Sequence, residues 1–144
     1  MEVKDLLRKK GERLLTAAPD DLVSAAAGAL AKNQIGALPV CERSGKLVGI
    51  ISERDVIRGV AESGASVLST PVSALMTRDV YTCKPSDSLR DVMHQMSQQH
   101  VRHLPVIDGG ALVGILSQRD TMKAQLEMTQ LEVNVLRDYA RARP

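Results

Sequence analysis

Apolar and polar positions recur in the same order twice along this chain of 144 residues. The stretch GALPVCERSGKLVGIISERD at 36–55 returns as RHLPVIDGGALVGILSQRD at 102–120. Pro39 and Pro105 lie 66 residues apart, whereas Gly49 and Gly114 lie 65 apart, so one residue is lost in the turn between them. Such self-similarity indicates that each copy is one structural unit. We therefore interpret the chain as two tandem copies of one unit.

Each copy is predicted to form a strand, a helix, two further strands and a closing helix, an α/β (α+β) unit. The first strands are predicted at residues 13–17 and 80–83, each ended by a proline and polar residues typical of a helix start. Leu-Pro-Val begins a hairpin in which the proline must lie where no partner needs its N–H. The first helix of the second copy has its apolar residues at i, i+3, i+4 and i+7, namely Leu89, Val92, Met93 and Met96.

The copies are predicted to span residues 8–62 and 71–127, followed by a C-terminal helical extension at 128–144. Half of this chain length would be marginal as an independent domain, so the copies are expected to support each other. Residues 123–143 contain neither Gly nor Pro and carry two apolar stripes. We expect one stripe to pack on the body and the other on a second copy of the protein.

Composition narrows the possible functions. Apolar residues make up 44% of the chain without any Phe or Trp, and the net charge is only +2. This gives no electrostatic or stacking basis for binding nucleic acid. No apolar run approaches the roughly 20 residues of a membrane span, and the charged start is unlike a signal peptide, so we expect a cytoplasmic protein. Cys41 and Cys83 lie in apolar segments and are interpreted as small buried hydrophobes, with redox-active thiols as the alternative.

The ordered set of Leu-Pro-Val, a glycine-containing hairpin and Gly-x-x-Ser-x-x-Asp, present twice, resembles the repeat of the CBS-domain family. The expectation is a stand-alone, bacterial-type CBS pair, or Bateman module. The resemblance implies two repeats packed by pseudo-two-fold symmetry, two clefts between them, and a dimeric disc. It also implies that the pair binds adenosine compounds.

The Ser-x-x-Asp sequence has two interpretations. A Ser at the N-cap with an acidic residue three positions later resembles a capping box, which stabilises a helix start by about 0.5–2 kcal/mol without any ligand. Here, however, the motif follows a strand with a glycine that allows close approach to the backbone. The resemblance implies that Asp55 and Asp120 bind ribose hydroxyls. Arg54 and Arg119 stand beside them at a helix N-terminus that favours phosphate, with exposed salt bridges as the alternative role.

The resemblance further implies that each cleft combines residues before Leu-Pro-Val of one repeat with the Ser-x-x-Asp of the other. Two looser assignments are Lys10, to the cleft of Asp120, and Met76, which has a broadly similar place before the other first strand. Arg102 and His103 should make the cleft of Asp55 the more basic one. That cleft is predicted to contain Thr82, Val101, Arg102, His103, Ser52, Arg54 and Asp55. The other is predicted to contain Thr16, Ile35, Gly36, Ala37, Ser117, Arg119 and Asp120.

The expected function is a regulatory sensor whose adenosine ligand (AMP, ATP or NAD) couples binding to a homodimer or an unidentified regulated protein. No catalytic cofactor, metal, nucleic acid or membrane partner is expected. A ligand-independent dimerisation scaffold built on the C-terminal helix is the alternative. A small enzyme is less favoured, because His94, His100 and His103 accompany no phosphate-binding loop, nucleophile elbow or metal-binding spacing.

Overall fold

A computed structural model describes residues 1–11 and 13–143 of the chain. Two short 3-10 helices, Gly64–Ser69 and Val72–Ala74, connect the two halves. The α-helices are α1 (Val3–Lys10), α2 (Val23–Asn33), α3 (Glu53–Ser63), α4 (Leu89–Gln99) and α5 (Gln118–Ala142), and the strands are β1 (Ala37–Cys41), β2 (Leu47–Ser52), β3 (His103–Asp108) and β4 (Ala111–Ser117).

Each Leu-Pro-Val segment lies in an antiparallel hairpin, β1 with β2 and β3 with β4. Pro39 pairs with Ile50, and Pro105 pairs with Ile115. Both hairpins have a register shift just after the valine of the motif. The predicted α/β repeat is therefore built twice with the same irregularity.

The first strand of each repeat is shorter than predicted, because it is reduced to one bridging residue. Ala17 pairs in parallel with Val40, donating its N–H to the Pro39 carbonyl at 2.9 Å and accepting from the Cys41 N–H at 2.9 Å. Extending this ladder toward the N-terminus needs an N–H from Pro39, and extending it toward the C-terminus needs one from Pro19. Neither proline has an N–H, so the ladder stops on both sides.

The same block operates in the second repeat. Cys83 pairs in parallel with Val106, donating to the Pro105 carbonyl at 3.0 Å and accepting from the Ile107 N–H at 2.9 Å. Pro105 and Pro85 occupy the positions that would continue the ladder. The residues at 80–82 therefore lie beside the sheet as irregular backbone.

The two repeats have separate apolar cores, and α1 closes the core of the second. Val3 and Leu6 of α1 are buried with the apolar residues of α4, β3 and β4. Val72 and Met76, which follow the first repeat in sequence, fill the corresponding place in the first core. The second half of the molecule thus depends on the first residues of the chain.

Backbone hydrogen bonds show that α1 and the segment beginning at Val72 are equivalent. The Val3 N–H donates to the Asp87 carbonyl at 2.9 Å, and the Val72 N–H donates to the Asp21 carbonyl at 2.7 Å. Val3 and Val72 are 69 residues apart, whereas Asp21 and Asp87 are 66 apart. The stretch from Val3 to the bridging residue Ala17 is therefore three residues longer than the equivalent stretch from Val72 to the bridging residue Cys83.

Helix α5 is both the closing helix of the second repeat and the C-terminal extension. Ala124 and Met128 pack on the second core. Beyond Met128 every residue up to Arg143 is exposed, so neither predicted stripe is covered by the body along this stretch. Pro144, the last residue of the predicted extension, lies outside the described residues.

Candidate functional site

Both Ser-x-x-Asp sequences form complete capping boxes. At the start of α3, Asp55 Oδ2 accepts from the Ser52 N–H at 2.8 Å and from its hydroxyl at 2.9 Å, while the Asp55 N–H donates to Ser52 Oγ at 3.3 Å. At the start of α5, Asp120 Oδ2 accepts from the Ser117 N–H at 2.8 Å, and the Asp120 N–H donates to Ser117 Oγ at 3.0 Å. The capping role is therefore present at both positions.

Asp55 has a second contact, with Thr77, which the sequence analysis did not identify. The Thr77 hydroxyl donates to Asp55 Oδ1 at 3.4 Å, near the limit for a hydrogen bond. The Thr77 backbone N–H donates to the Ile50 carbonyl of β2 at 2.8 Å. We call Ser52, Asp55 and Thr77 the Asp55 half-site.

In the second repeat one lysine makes both contacts that Thr77 makes in the first. Lys10 Nζ donates to Asp120 Oδ2 at 2.8 Å and to the carbonyl of Ile115, the counterpart of Ile50, at 2.9 Å. A neutral donor in the first repeat is thus replaced by a cation in the second. We call Ser117, Asp120 and Lys10 the Asp120 half-site.

The Lys10 ion pair controls the protonation of Asp120. Burial, the largest single influence, raises the pKa of this carboxyl. The hydrogen bonds from Lys10 and Ser117 and the positive charge of Lys10 together outweigh burial, so the pKa of Asp120 lies below its ordinary value. Asp120 is therefore an anion at neutral pH.

The glycine of each second strand lies against the same connecting segments. A Cβ on Gly49 would come within 2.6 Å of Met76 Sδ and 2.9 Å of the Thr77 carbonyl oxygen. A Cβ on Gly114 would come within 2.7 Å of Leu7 Cδ2. The counterpart of Met76 is thus Leu7, and Lys10 corresponds in its contacts to Thr77. The apolar pattern shared by residues 3–7 and 72–76, at an offset of 69, is the signal that could have shown this.

His103 lies where the two repeats meet. Its Cε1 and Nε2 atoms would each be 3.0 Å from a Cβ added to Gly36 of the first repeat. Burial is the main cause that lowers the pKa of His103, and the positive charges of Lys10 and Arg102 lower it further, while Asp120 opposes them. The imidazole is therefore biased toward its neutral form.

Strand pairing and backbone hydrogen bonds join predicted residues within each repeat. Ala37 pairs with Ser52 and His103 with Ser117, because each Leu-Pro-Val strand pairs with the strand that ends in its own Ser-x-x-Asp. The Gly36 carbonyl accepts from the N–H of Glu53 in α3, and the Arg102 carbonyl accepts from that of Gln118 in α5, again within one repeat. The charges of Lys10 and Asp120 act on His103. The assignment of Arg102 and His103 to the cleft of Asp55 stays a prediction.

The other predicted residues surround these half-sites. Ile35 packs on the first core and Val101 on the second. Thr82 lines a cavity of about 300 Å³ that also reaches Val48 of β2 and Ile107 of β3, and so lies between the repeats. Six predicted side chains are exposed, namely Lys10, Thr16, Arg54, Thr82, Arg102 and Arg119.

The two cysteine thiols both have raised pKa values. Burial, and to a smaller extent the charge of Asp87, raise the pKa of the Cys83 thiol to about 12, and burial also raises that of Cys41. Both thiols are therefore protonated at neutral pH, which is unfavourable for redox chemistry. Among residues 1–11 and 13–143, no cluster of three His, Cys, Asp or Glu side chains is suited to holding a metal ion.

Across the same described residues, no helix combines the length and the apolar character that crossing a bilayer requires.

Comparison with known proteins identifies this architecture. Residues 3–62 and 72–127 each match the CBS domain. The CBS domain-containing protein YhcV of Bacillus subtilis is 32% identical over 124 residues, which are 86% of this chain and 85% of that protein. The crystal structure of the CBS-domain containing protein ATU1752 from Agrobacterium tumefaciens has a TM-score of 0.83 and 39% identity, covering 87% of this chain and 99% of that one.

A further structural relative was solved with ligands. The CBS domain pair of protein MJ0100, in complex with 5'-methylthioadenosine and S-adenosyl-L-methionine, has a TM-score of 0.80 and 29% identity and covers 89% of this chain and 98% of that one. These matches confirm the predicted α/β fold class of paired repeats. The chain belongs to the CBS domain family and carries two CBS domains in tandem.

Proposed function

We propose that this CBS pair is a regulatory module that binds an adenosine ligand at the Asp55 and Asp120 half-sites. The observation that carries the proposal is the buried carboxylate of Asp55, which is only 8% exposed. Burying a charge is costly, and Thr77 is a weak partner for its Oδ1 atom. That oxygen keeps acceptor capacity for ribose hydroxyls, which acidic residues bind in other nucleotide folds. The complex of the relative MJ0100 supports an adenosine compound as the ligand class.

Within the proposal, the ligand is AMP, ATP or NAD, and no catalytic cofactor is involved. The backbone around the Leu-Pro-Val strands reads the base, with Ile35, Gly36 and Ala37 in the first repeat and Val101, Arg102 and His103 in the second. Arg54 and Arg119, at the N-termini of α3 and α5, meet phosphate. Ligand binding favours one arrangement of the repeats and passes that preference to a dimer or a partner protein in the cytoplasm.

The test is a thermal shift panel on ligand-free protein with adenosine, AMP, ATP, NAD and S-adenosylmethionine. A ligand that binds only the folded protein stabilises it by about 2.7 kcal/mol at 100 times its dissociation constant. The double variant Asp55→Asn/Asp120→Asn should lose the response, because an amide can still accept the capping hydrogen bond but supplies only one acceptor oxygen. Flat melting curves for every compound would contradict the proposal.

The chain offers a matched control for the capping role alone. Ser88 and Asp91 form a third Ser-x-x-Asp at the start of α4, where the Asp91 N–H donates to Ser88 Oγ at 3.0 Å. Asp91 is exposed, and no glycine-bearing strand precedes it. Asp91→Asn should therefore leave the nucleotide response unchanged.

A dimerisation scaffold is the second candidate, favoured by the exposed apolar residues on α5. Leu131 is 64% exposed, Val135 58% and Tyr139 69%. Glu127 and Glu132 precede Arg137 and Arg141 along this helix, so an antiparallel pair of two copies would bring opposite charges together. Sedimentation of a Leu131→Asp/Val135→Asp variant tests this, because a dimer held by α5 should become a monomer.

A further inference from the structure

A cavity of about 330 Å³ lies between α1, the residues that follow it, and β4. Val113, Gly114 and Ile115 form its β4 side. Its described lining residues include four cations and one carboxylate, Asp108; the cations are Lys4, Arg8, Lys10 and Arg13. We call it the N-terminal cavity. An excess of positive charge in a concave site attracts and concentrates anions.

The N-terminal cavity is continuous with the Asp120 half-site. Ile115 and Lys10 line the cavity, and Lys10 Nζ contacts both the Ile115 carbonyl and Asp120 Oδ2. The ammonium group therefore stands at the junction between the carboxylate and the cavity. A ligand bound to Asp120 would have its next chemical group beside these cations.

Three of the four cations, Lys4, Arg8 and Lys10, are held on an anchored helix. Val3 is fully buried and Leu6 is 5% exposed, so α1 is fixed to the second core while its basic side chains line the cavity. The C-terminal end of α1 carries partial negative charge, which opposes an anion. That effect is equivalent to about half an elementary charge, whereas the cavity contains four full positive charges.

The cavity of about 300 Å³ that Thr82 lines, beside β2, is less basic than the N-terminal cavity. Its described lining includes two cations, Lys46 and Arg78, beside β2. The connecting segment at Val72–Ala74 is a short 3-10 helix without a basic residue, whereas its counterpart α1 contributes three of the four cations of the N-terminal cavity. The difference in charge between the two cavities therefore arises mainly from α1.

We propose that the N-terminal cavity is a polyphosphate subsite that accepts the phosphate chain of a nucleoside di- or triphosphate whose ribose is held by Asp120. This inference rests on the proposed function. On binding, the ribose hydroxyls replace Lys10 as donors to Asp120, and the Lys10 ammonium turns to the phosphates. The side chain alone moves, because Val3 and Leu6 keep α1 in place.

The test compares ATP, AMP and adenosine by calorimetry, with inorganic tripolyphosphate as a probe of the cavity alone. In the native protein ATP should bind at least about tenfold more tightly than adenosine, because charge-assisted hydrogen bonds to phosphate are among the strongest. The variant Arg8→Gln/Arg13→Gln should lose about tenfold or more in ATP affinity while its adenosine affinity changes less than about twofold.

The matched control removes two charges of the same sign outside the cavity. Lys9 lies on α1 but is 3.9 Å from Glu127 of α5, and Lys123 lies on the exposed side of α5. Lys9→Gln/Lys123→Gln should leave ATP affinity within about twofold of the native value. Equal losses in both double variants, or no loss in Arg8→Gln/Arg13→Gln, would overturn the subsite.

Tripolyphosphate separates failure of this inference from failure of the proposed function. If neither adenosine nor any nucleotide binds, but tripolyphosphate binds in a manner that Arg8→Gln/Arg13→Gln abolishes, the adenosine function is wrong and the cavity is an anion site. If adenosine binds and ATP shows no advantage over it, the adenosine function stands and the polyphosphate subsite is wrong.

Discussion

The Asp55 and Asp120 half-sites share one capping motif but differ in the donor that faces the carboxylate. The Thr77 hydroxyl, at 3.4 Å, is a weak neutral donor, whereas the Lys10 ammonium, at 2.8 Å, makes a charge-assisted contact. Asp55 is also buried, while the Asp120 side chain is 26% exposed. A repeated motif can therefore be kept intact while the segment packed against it changes the chemistry of the site.

The origin of this difference lies in where the connecting segments come from. The segment at Thr77 follows the first repeat and exchanges two backbone hydrogen bonds with Ile50 of β2, donating one and accepting the other. Its counterpart is α1, whose last residue, Lys10, donates to the Ile115 carbonyl of β4 through its side chain. The contact that Thr77 makes through its backbone N–H is therefore made in the second repeat by a side chain.

The largest expected effect tests the dependence of the second repeat on α1. Leu6→Ala should lower the free energy of unfolding by about 2–5 kcal/mol, because it leaves a cavity in the second core. Leu131→Ala, at a site 64% exposed on α5, should change it by less than about 0.5 kcal/mol. Urea unfolding followed by circular dichroism measures both. Similar small losses would show that α1 does not close the second core.

Replacing Gly49 or Gly114 by Ala should have the next largest effect on the free energy of unfolding. Gly49→Ala should cost about 1–3 kcal/mol, because the added methyl meets the Thr77 carbonyl oxygen, which no side-chain rotation can move. Gly114→Ala should cost less, since the nearest atoms all belong to the flexible end of Leu7. Thermal unfolding of the two variants ranks them. A larger loss in Gly114→Ala would contradict the difference in packing at the two sites.

Lys10 and Thr77 each donate a hydrogen bond to an aspartate, and the loss of stability on removing each donor should depend differently on salt. Lys10→Met should cost about 1 kcal/mol or less, because the Lys10 side chain is 37% exposed. That cost should shrink between about 0.1 M and 1 M salt, where the Debye length falls from about 10 to 3 Å. Thr77→Val removes a neutral contact, so its cost should not change with salt. Parallel salt responses would mean that the donors are electrostatically alike.

The smallest expected effect concerns pH. The folded-state pKa of His103 lies below its ordinary value of 6.5, so its contribution to stability is complete above pH 6.5 and is lost as pH falls through the lowered pKa. His103→Gln should therefore lose less stability than the native protein between about pH 6.5 and 5. Denaturant melts across this range measure the difference.

Much of the fold could be predicted from the sequence, because the two copies support each other. The hairpins, the helices α2 and α4 and the long helix α5 follow from periodicity and turn residues, and the structure confirms them. The strands at 13–17 and 80–83 are shorter than predicted, because prolines block the ladder on both sides of Ala17 and Cys83. That block depends on the pairing register, which apolar alternation does not reveal.

The candidate site was less accessible to sequence reasoning. Asp55 and Asp120 were found because they follow a repeated strand and occupy a capping position. Thr77 was not predicted as a site residue, because its role depends on packing against β2 and it lies outside the Ser-x-x-Asp motif. His103 pairs with Ser117 in its hairpin, and its grouping with Asp55, which the resemblance implies, stays a prediction.

The most direct test of the central claim, that the half-sites are not equivalent, is calorimetry of Asp55→Asn and Asp120→Asn with ATP and with adenosine. We expect Asp55→Asn to keep the preference for ATP over adenosine and Asp120→Asn to lose it, since only the Asp120 half-site adjoins the N-terminal cavity. The same ratio of ATP to adenosine affinity in both variants would show that the two half-sites are equivalent.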